Sequence, residues 1–147
     1  MNESQPERKM VGLIMQKPCI LVVDDNPQYA KLFELIAESL GFTTKLVTNC
    51  YEAEAFFTAN QVDLILMDWV MPEIDGPACT RRIRDLEAKL GKRVPIIGVS
   101  GYVQASKESC TEAGMDDFLS VPFTMDELQE KLAMWLPKSR HDLEPAP

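Results

Sequence analysis

Between residues 18 and 137, short apolar runs alternate with longer stretches in which apolar side chains recur every three or four positions. The short runs are Cys19–Val23, Thr43–Val47, 64–67, 95–99 and 118–120. They are rich in β-branched side chains and predict strands. The first, third and fourth are almost continuously apolar, as expected of strands covered on both faces. The longer stretches predict five helices with recognisable ends. Asn26 caps the first, with Pro27 at its first position. Its inner face carries Phe33, Ile36, Ala37 and Leu40, and it stops at Gly41. Asn49 with Glu52 resembles a capping box for a second helix over 51–58. A third runs over Gly76–Leu90 with Cys79, Ile83, Leu86 and Leu90 on one stripe, then stops at Gly91. A short fourth spans 106–113 and stops at Gly114. Thr124 and Glu127 make another capping box for a fifth, whose inner face is Leu128, Leu132 and Trp135 and which Pro137 ends.

Five strands alternating with five helices predict an α/β domain, a doubly wound parallel sheet with helices on both faces and right-handed crossovers. Such sheets bind ligands outside the carboxyl ends of their strands, at a topological switch point. Residues 1–17 are expected to be a flexible leader or linker, 18–137 the domain, and 138–147 a flexible tail.

Composition narrows this picture. The chain has 147 residues, enough for one domain with a core that needs neither disulfide nor metal. Its formal net charge of −8 argues against nucleic acid as a partner and is compatible with a divalent cation. No apolar run approaches the ~20 residues that span a bilayer, so the chain is expected not to insert in a membrane and to be cytoplasmic. Cys19, Cys50, Cys79 and Cys110 lie about thirty residues apart, without the close spacing of zinc ligands. They are expected to be reduced thiols in or near the core.

The candidate chemistry lies just past the strands. Asp24 and Asp25 follow the first, Asp68 the third and Ser100 the fourth. If the first and third strands are neighbours, three carboxylates share one end of the sheet. Two like charges ~4 Å apart cost on the order of 4 kcal/mol at an effective dielectric of 20. Such a cluster either raises a pKa or recruits a cation, and oxygen-only ligands favour magnesium, calcium or manganese. Asp24 and Asp25 also have a simpler role open to them, as acidic residues ahead of a helix N-terminus.

These segments resemble the receiver domain of response regulators in two-component and phosphorelay systems. Ile20-Leu21-Val22-Val23-Asp24-Asp25-Asn26 is similar to the opening of such a domain. Leu64-Ile65-Leu66-Met67-Asp68-Trp69-Val70-Met71-Pro72 with Asp75-Gly76 is similar to its phosphoacceptor segment. Val94-Pro95-Ile96-Ile97-Gly98-Val99-Ser100-Gly101 resembles its fourth strand. Ala113-Gly114-Met115-Asp116-Asp117-Phe118-Leu119-Ser120 resembles the fifth-strand approach in receivers of hybrid sensor histidine kinases. The resemblance implies a flavodoxin-like sheet of order 2-1-3-4-5. It implies that Asp68 is the phosphoacceptor. Mg2+, or Mn2+ in its place, would be held by Asp24, Asp25, Asp68 and the backbone carbonyl of Val70. Ser100 and Phe118 would be the switch residues. Asp75-Gly76 would either shape the loop into the third helix or serve as a plain cap and turn. The implied partner is a histidine kinase or histidine-phosphotransfer protein, because His141 is the chain's only histidine and lies in the tail.

The family normally has a lysine immediately before the proline that follows strand five; here that position is Val121. Phosphorylation that is slower or more weakly coupled to switching, a pseudo-receiver acting as a phosphorylation-independent interaction module, and a deliberate substitution are all compatible with it. Val70 and Tyr102, two residues beyond Asp68 and Ser100, are expected to hinder an attacking water and lengthen the life of an acyl phosphate. An aspartate-nucleophile phosphatase is disfavoured, because Asp24-Asp25-Asn26 lacks the DxD pattern of those enzymes.

Overall fold

Along each strand, successive side chains enter two different cores. Leu21, Val23, Ile65, Met67 and Ile96 face one side of the sheet, while Ile20, Val22, Leu64, Leu66, Ile97 and Val99 face the other. This period-2 partition of apolar runs buries both faces of the sheet. A computed structural model describes residues 17–101 and 106–136. It contains β1 (Cys19–Val23), α1 (Pro27–Ser39), β2 (Thr43–Val47), α2 (Cys50–Ala59), β3 (Leu64–Asp68), α3 (Gly76–Leu90), β4 (Ile96–Ser100), α4 (Lys107–Ala113), β5 (Asp117–Ser120) and α5 (Met125–Trp135). All strand pairs are parallel, in the order β2-β1-β3-β4-β5. Helices α2, α3 and α4 cover one face through Phe57, Ile83 and Cys110, and α1 and α5 cover the other through Phe33, Leu128 and Leu132. Residues 1–16 of the expected leader, Tyr102, Pro137 and the tail with His141 lie outside the described residues.

The helix ends follow local chemistry. Asn26 Oδ1 accepts from the N–H groups of Gln28 (2.9 Å) and Tyr29 (3.4 Å). Asn49 and Thr124 accept from the N–H groups of Glu52 and Glu127. The carboxylates of Glu52 and Glu127 turn to the side chains of Asn49 and Thr124, so each expected box is bonded to backbone from one side. The reciprocal box is at α4, where the side chains of Ser106 and Ser109 each accept from the other's backbone N–H.

Three expectations change. Strands β3 and β4 each extend one residue further than the apolar pattern predicts, so Asp68 and Ser100 are the last residues of their strands. On α3, Leu90 is exposed and Glu87 is buried. Glu87 is satisfied there by Arg84 Nη1 (2.7 Å) and the N–H of Val94 (2.6 Å), which periodicity alone does not reveal. The cysteines are not four free thiols. Cys50 and Cys79, both fully buried, form a disulfide with Cα atoms 5.6 Å apart, while Cys19 and Cys110 are free. Residues 29 apart in the chain meet because the first turns of α2 and α3 pack side by side.

Candidate functional site

The strand register places the chemistry. Val23 pairs with Met67, which brings the next residues, Asp24 and Asp68, level at the carboxyl edge of adjacent strands. Asp68 in turn pairs with Val99, and Ser100 with Ser120. Four strands therefore deliver Asp24, Asp68, Ser100 and Val121 to one edge, at the switch point where the chain leaves β1 toward β2 on one side and β3 lies on the other. They line an open cleft of about 370 Å3, shared with Asp25, Asn26, Tyr29, Val70, Val99 and Gly101.

Backbone contacts hold each wall. The N–H of Asp24 donates to Val47 O (3.1 Å), and Asp24 Oδ1 accepts from the N–H of Asn26 (2.8 Å). Asp24 is buried and Asp25 is exposed. The N–H of Trp69 donates to Val99 O (2.9 Å), and that of Gly76 to Trp69 O (2.9 Å), which folds the β3–α3 loop back on Asp68. Within this loop Glu73 takes a left-handed conformation with φ 67°. Asp75 caps α3 by accepting from the N–H of Ala78 (2.9 Å). Val70 donates its N–H to Asp68 Oδ1 (3.3 Å). On the far wall the N–H of Val121 donates to Ser100 O (3.0 Å), and the Val121–Pro122 peptide is cis.

Carboxylate oxygens of Asp24, Asp25 and Asp68 lie within 4.8 Å of one another. By the protein's own groups alone, burial followed by the charge of Asp24 pushes Asp68 up to about 8, against the opposing hydrogen bond from Val70. Asp24 is also raised, chiefly by burial. Donors bound at 2.0–2.1 Å across an octahedral ion are about 4.2 Å apart, so this all-oxygen trio is close to the span a magnesium ion needs. Among the described residues lining the cleft none is a lysine, arginine or histidine.

Phe118 is not brought to the cleft; it packs, partly buried, against the core under α2–α4. Two lining residues had no signal in the apolar pattern. Tyr29 reaches the site because it sits in the first turn of α1, directly behind the Asn26 cap. Gly101 does so because β4 runs on to Ser100.

Comparison with known proteins agrees with this geometry. Residues 20–133 match the response regulator receiver domain family. Sensor histidine kinase RcsC of Salmonella typhi is 38% identical over 122 residues, covering 82% of this chain and 12% of the kinase. Hybrid signal transduction protein dokA of Dictyostelium discoideum is 38% identical over 120 residues, covering 82% of this chain and 7% of that protein. The chain thus spans a small fraction of the length of these curated relatives. Among solved structures, the receiver domain of sensor histidine kinase PA1611 from Pseudomonas aeruginosa PAO1, with a magnesium ion coordinated in its active site cleft, is 39% identical with a TM-score of 0.73. The match covers 82% of this chain and 98% of that one. The receiver domain of Ssk1, crystallised with the histidine phosphotransfer protein Ypd1 of Saccharomyces cerevisiae, is 26% identical with a TM-score of 0.73, over 82% of this chain and 90% of that one. With its 2-1-3-4-5 sheet and its acidic carboxyl edge, this chain belongs to the receiver domain family of two-component signalling systems.

Proposed function

We propose that the domain accepts a phosphoryl group on Asp68 from a phosphohistidine of a histidine kinase or histidine-phosphotransfer protein. The observation that carries this is the convergence of Asp24, Asp25 and Asp68 within 4.8 Å, in a cleft that also holds Ser100. Carboxylates can act as covalent nucleophiles. In the transfer, one Asp68 oxygen forms the new O–P bond while the N–P bond of the donor breaks. The leaving imidazole keeps that electron pair and takes up a proton. Asp24, Asp25 and Asp68 are the side chains that would hold Mg2+, or Mn2+ in its place, with the Val70 carbonyl as a backbone donor. The ion's chemistry is to neutralise charge gathering on the phosphoryl oxygens. The magnesium in the PA1611 receiver supports this choice of metal.

Asp68 is positioned for attack because its strand ends there and the loop beyond is tied back through Trp69 and Gly76. Ser100, buried on the neighbouring strand, offers a hydroxyl to the phosphoryl oxygens. The added charge and acceptors would bias the surface built on β5 and the short α4, which buries only Cys110 and Ala113 among its described residues. Val70, 47% exposed at the mouth of the cleft, would slow hydrolysis by obstructing water. On α1, Pro27, Gln28, Lys31, Leu32 and Leu35 line a shallow, largely apolar groove that a donor protein could cover.

Incubation with magnesium and a small acyl-phosphate donor, followed by intact mass, tests the proposal. One phosphoryl group on the parent, absent from Asp68→Asn and from the magnesium-free control, is the expected result. No adduct at high donor and long times would overturn it in favour of a phosphorylation-independent interaction module, the alternative that Val121 favours.

A further inference from the structure

We propose that Val121 makes the cleft a tight resting site for a divalent cation, so that the domain holds its ion before any phosphoryl group arrives. This rests on the acidic cleft being the phosphoacceptor site. Val121 is part of the wall: its N–H is bonded to Ser100 O at 3.0 Å, and it lines the same cleft as Asp24, Asp25 and Asp68. Its side chain offers only methyl groups, and no other lining residue among those described supplies a positive charge.

Five of the described cations are paired away from the cleft. Lys31 pairs with Glu34 on the outside of α1, and Arg82 with Glu54 between α3 and α2. Arg84 and Arg93 meet Asp116, and Lys131 meets Asp117, both at the start of β5 and therefore at the opposite edge of the sheet. Among the described residues lining the cleft, none supplies a countercharge to the three clustered carboxylates. No side-chain cation among the lining residues competes with an entering ion for their oxygens, two of which accept from the N–H groups of Asn26 (2.8 Å) and Val70 (3.3 Å).

A fixed positive charge at residue 121 would act twice against the ion. It would neutralise part of the carboxylate charge, and it would repel a dication held in the same cleft. Coulomb's law in a half-exposed cleft makes the combined effect roughly tenfold or more in the dissociation constant. Val121 thus acts as a specificity-determining residue, one that assigns the countercharge to the metal rather than to the protein.

The test is a magnesium titration of the parent, Val121→Lys, Val121→Arg and Val121→Met, read by calorimetry and by fluorescence of Trp69, which adjoins Asp68. Thermal unfolding of each variant verifies folding. The expected result is Val121→Met within about twofold of the parent, with the lysine and arginine variants weaker by roughly tenfold or more. Equal or tighter magnesium binding by whichever cationic variant folds overturns the inference. Intact-mass phosphorylation separates this failure from that of the phosphoacceptor proposal. A parent that takes up phosphate but binds magnesium no better than Val121→Lys removes only the role of Val121. A parent that shows the tenfold difference but takes up no phosphate removes only the acceptor role of Asp68.

Discussion

Gly76 has no room for a side chain: a Cβ there would stand 2.2 Å from the carbonyl oxygen of Asp68 and 2.9 Å from Trp69 Cα. The obstacle is backbone, which cannot swing aside, so any larger residue must push the β3–α3 loop away from the cleft. Gly76→Ala is expected to cost about 1–3 kcal/mol of stability, as overpacking does. Its larger effect should be on the position of Asp68, with magnesium affinity and phosphoryl uptake each falling roughly tenfold while the circular dichroism stays native. Uptake at the parental rate would show that the loop absorbs the methyl group without moving Asp68.

Asp68 itself carries a pH dependence. Its folded pKa, raised to about 8 by burial and by Asp24, lies far above the unfolded value of about 3.9. Between these values the folded state holds a proton that the unfolded state has released. Without divalent ions, the contribution of Asp68 to stability is therefore complete below about pH 4 and is lost as pH rises toward 8. Asp68→Asn cannot ionise, so its unfolding free energy should decline less over that range. Denaturant titrations at pH 5 and 8 measure the difference; parallel declines would place the raised pKa elsewhere in the cluster.

At the scale of elements, the bond between Cys50 and Cys79 joins the first turns of α2 and α3. The two cysteines are separated by 29 positions. Closing a loop of about that length in the unfolded chain is worth about 2–4 kcal/mol. The double variant Cys50→Ala with Cys79→Ala should lose that much, plus a smaller amount for the volume removed from a fully buried contact. Thiol counting in denaturant, with and without a reductant, checks the premise directly: two free thiols are expected in the untreated protein and four after reduction. The same helix shows how polar groups are tolerated in the core, since Arg84 reaches Glu87, Val94 O, Gly114 O and Asp116 and so ties α3 to β4 and to the approach of β5.

Across the whole molecule, charge is divided between the two edges of the sheet. Among the described residues, the carboxyl edge carries Asp24, Asp25 and Asp68 with no cation in the cleft they line, and the amino edge carries Asp116 and Asp117 in ion pairs. Burial would push Asp116 and Asp117 up. Hydrogen bonds from Arg93 and Ile96 N–H to Asp116, and from Lys131 and Trp135 Nε1 to Asp117, outweigh it and hold both below the usual carboxylate range. Their contribution is present above the unfolded value of about 3.9 and disappears as pH falls through the lower folded values. Acid unfolding is therefore expected to begin below about pH 4. Asp116→Asn and Asp117→Asn should each shallow that acid limb in addition to lowering stability at neutral pH. An unchanged limb in both would mean that other carboxylates govern acid unfolding.

The sequence by itself determined the order of elements, their types and most of their ends, because period-2 and period-3.6 patterns and caps such as Asn26, Asn49 and Thr124 are local properties. It also determined which carboxylates to examine, since Asp24, Asp25 and Asp68 each directly follow or end an apolar strand. Only the tertiary structure decided how those residues relate across the sheet. The parallel register brings Asp24 level with Asp68 and sets Val121 beside Ser100, and no spacing along the chain contains that information. The same holds for the buried Glu87, rescued by Arg84 and Val94, and for Cys50 and Cys79, which become neighbours only when two helices pack. Local pattern reports on a residue's own turn or strand. Contacts between distant residues are fixed by how whole faces are buried together.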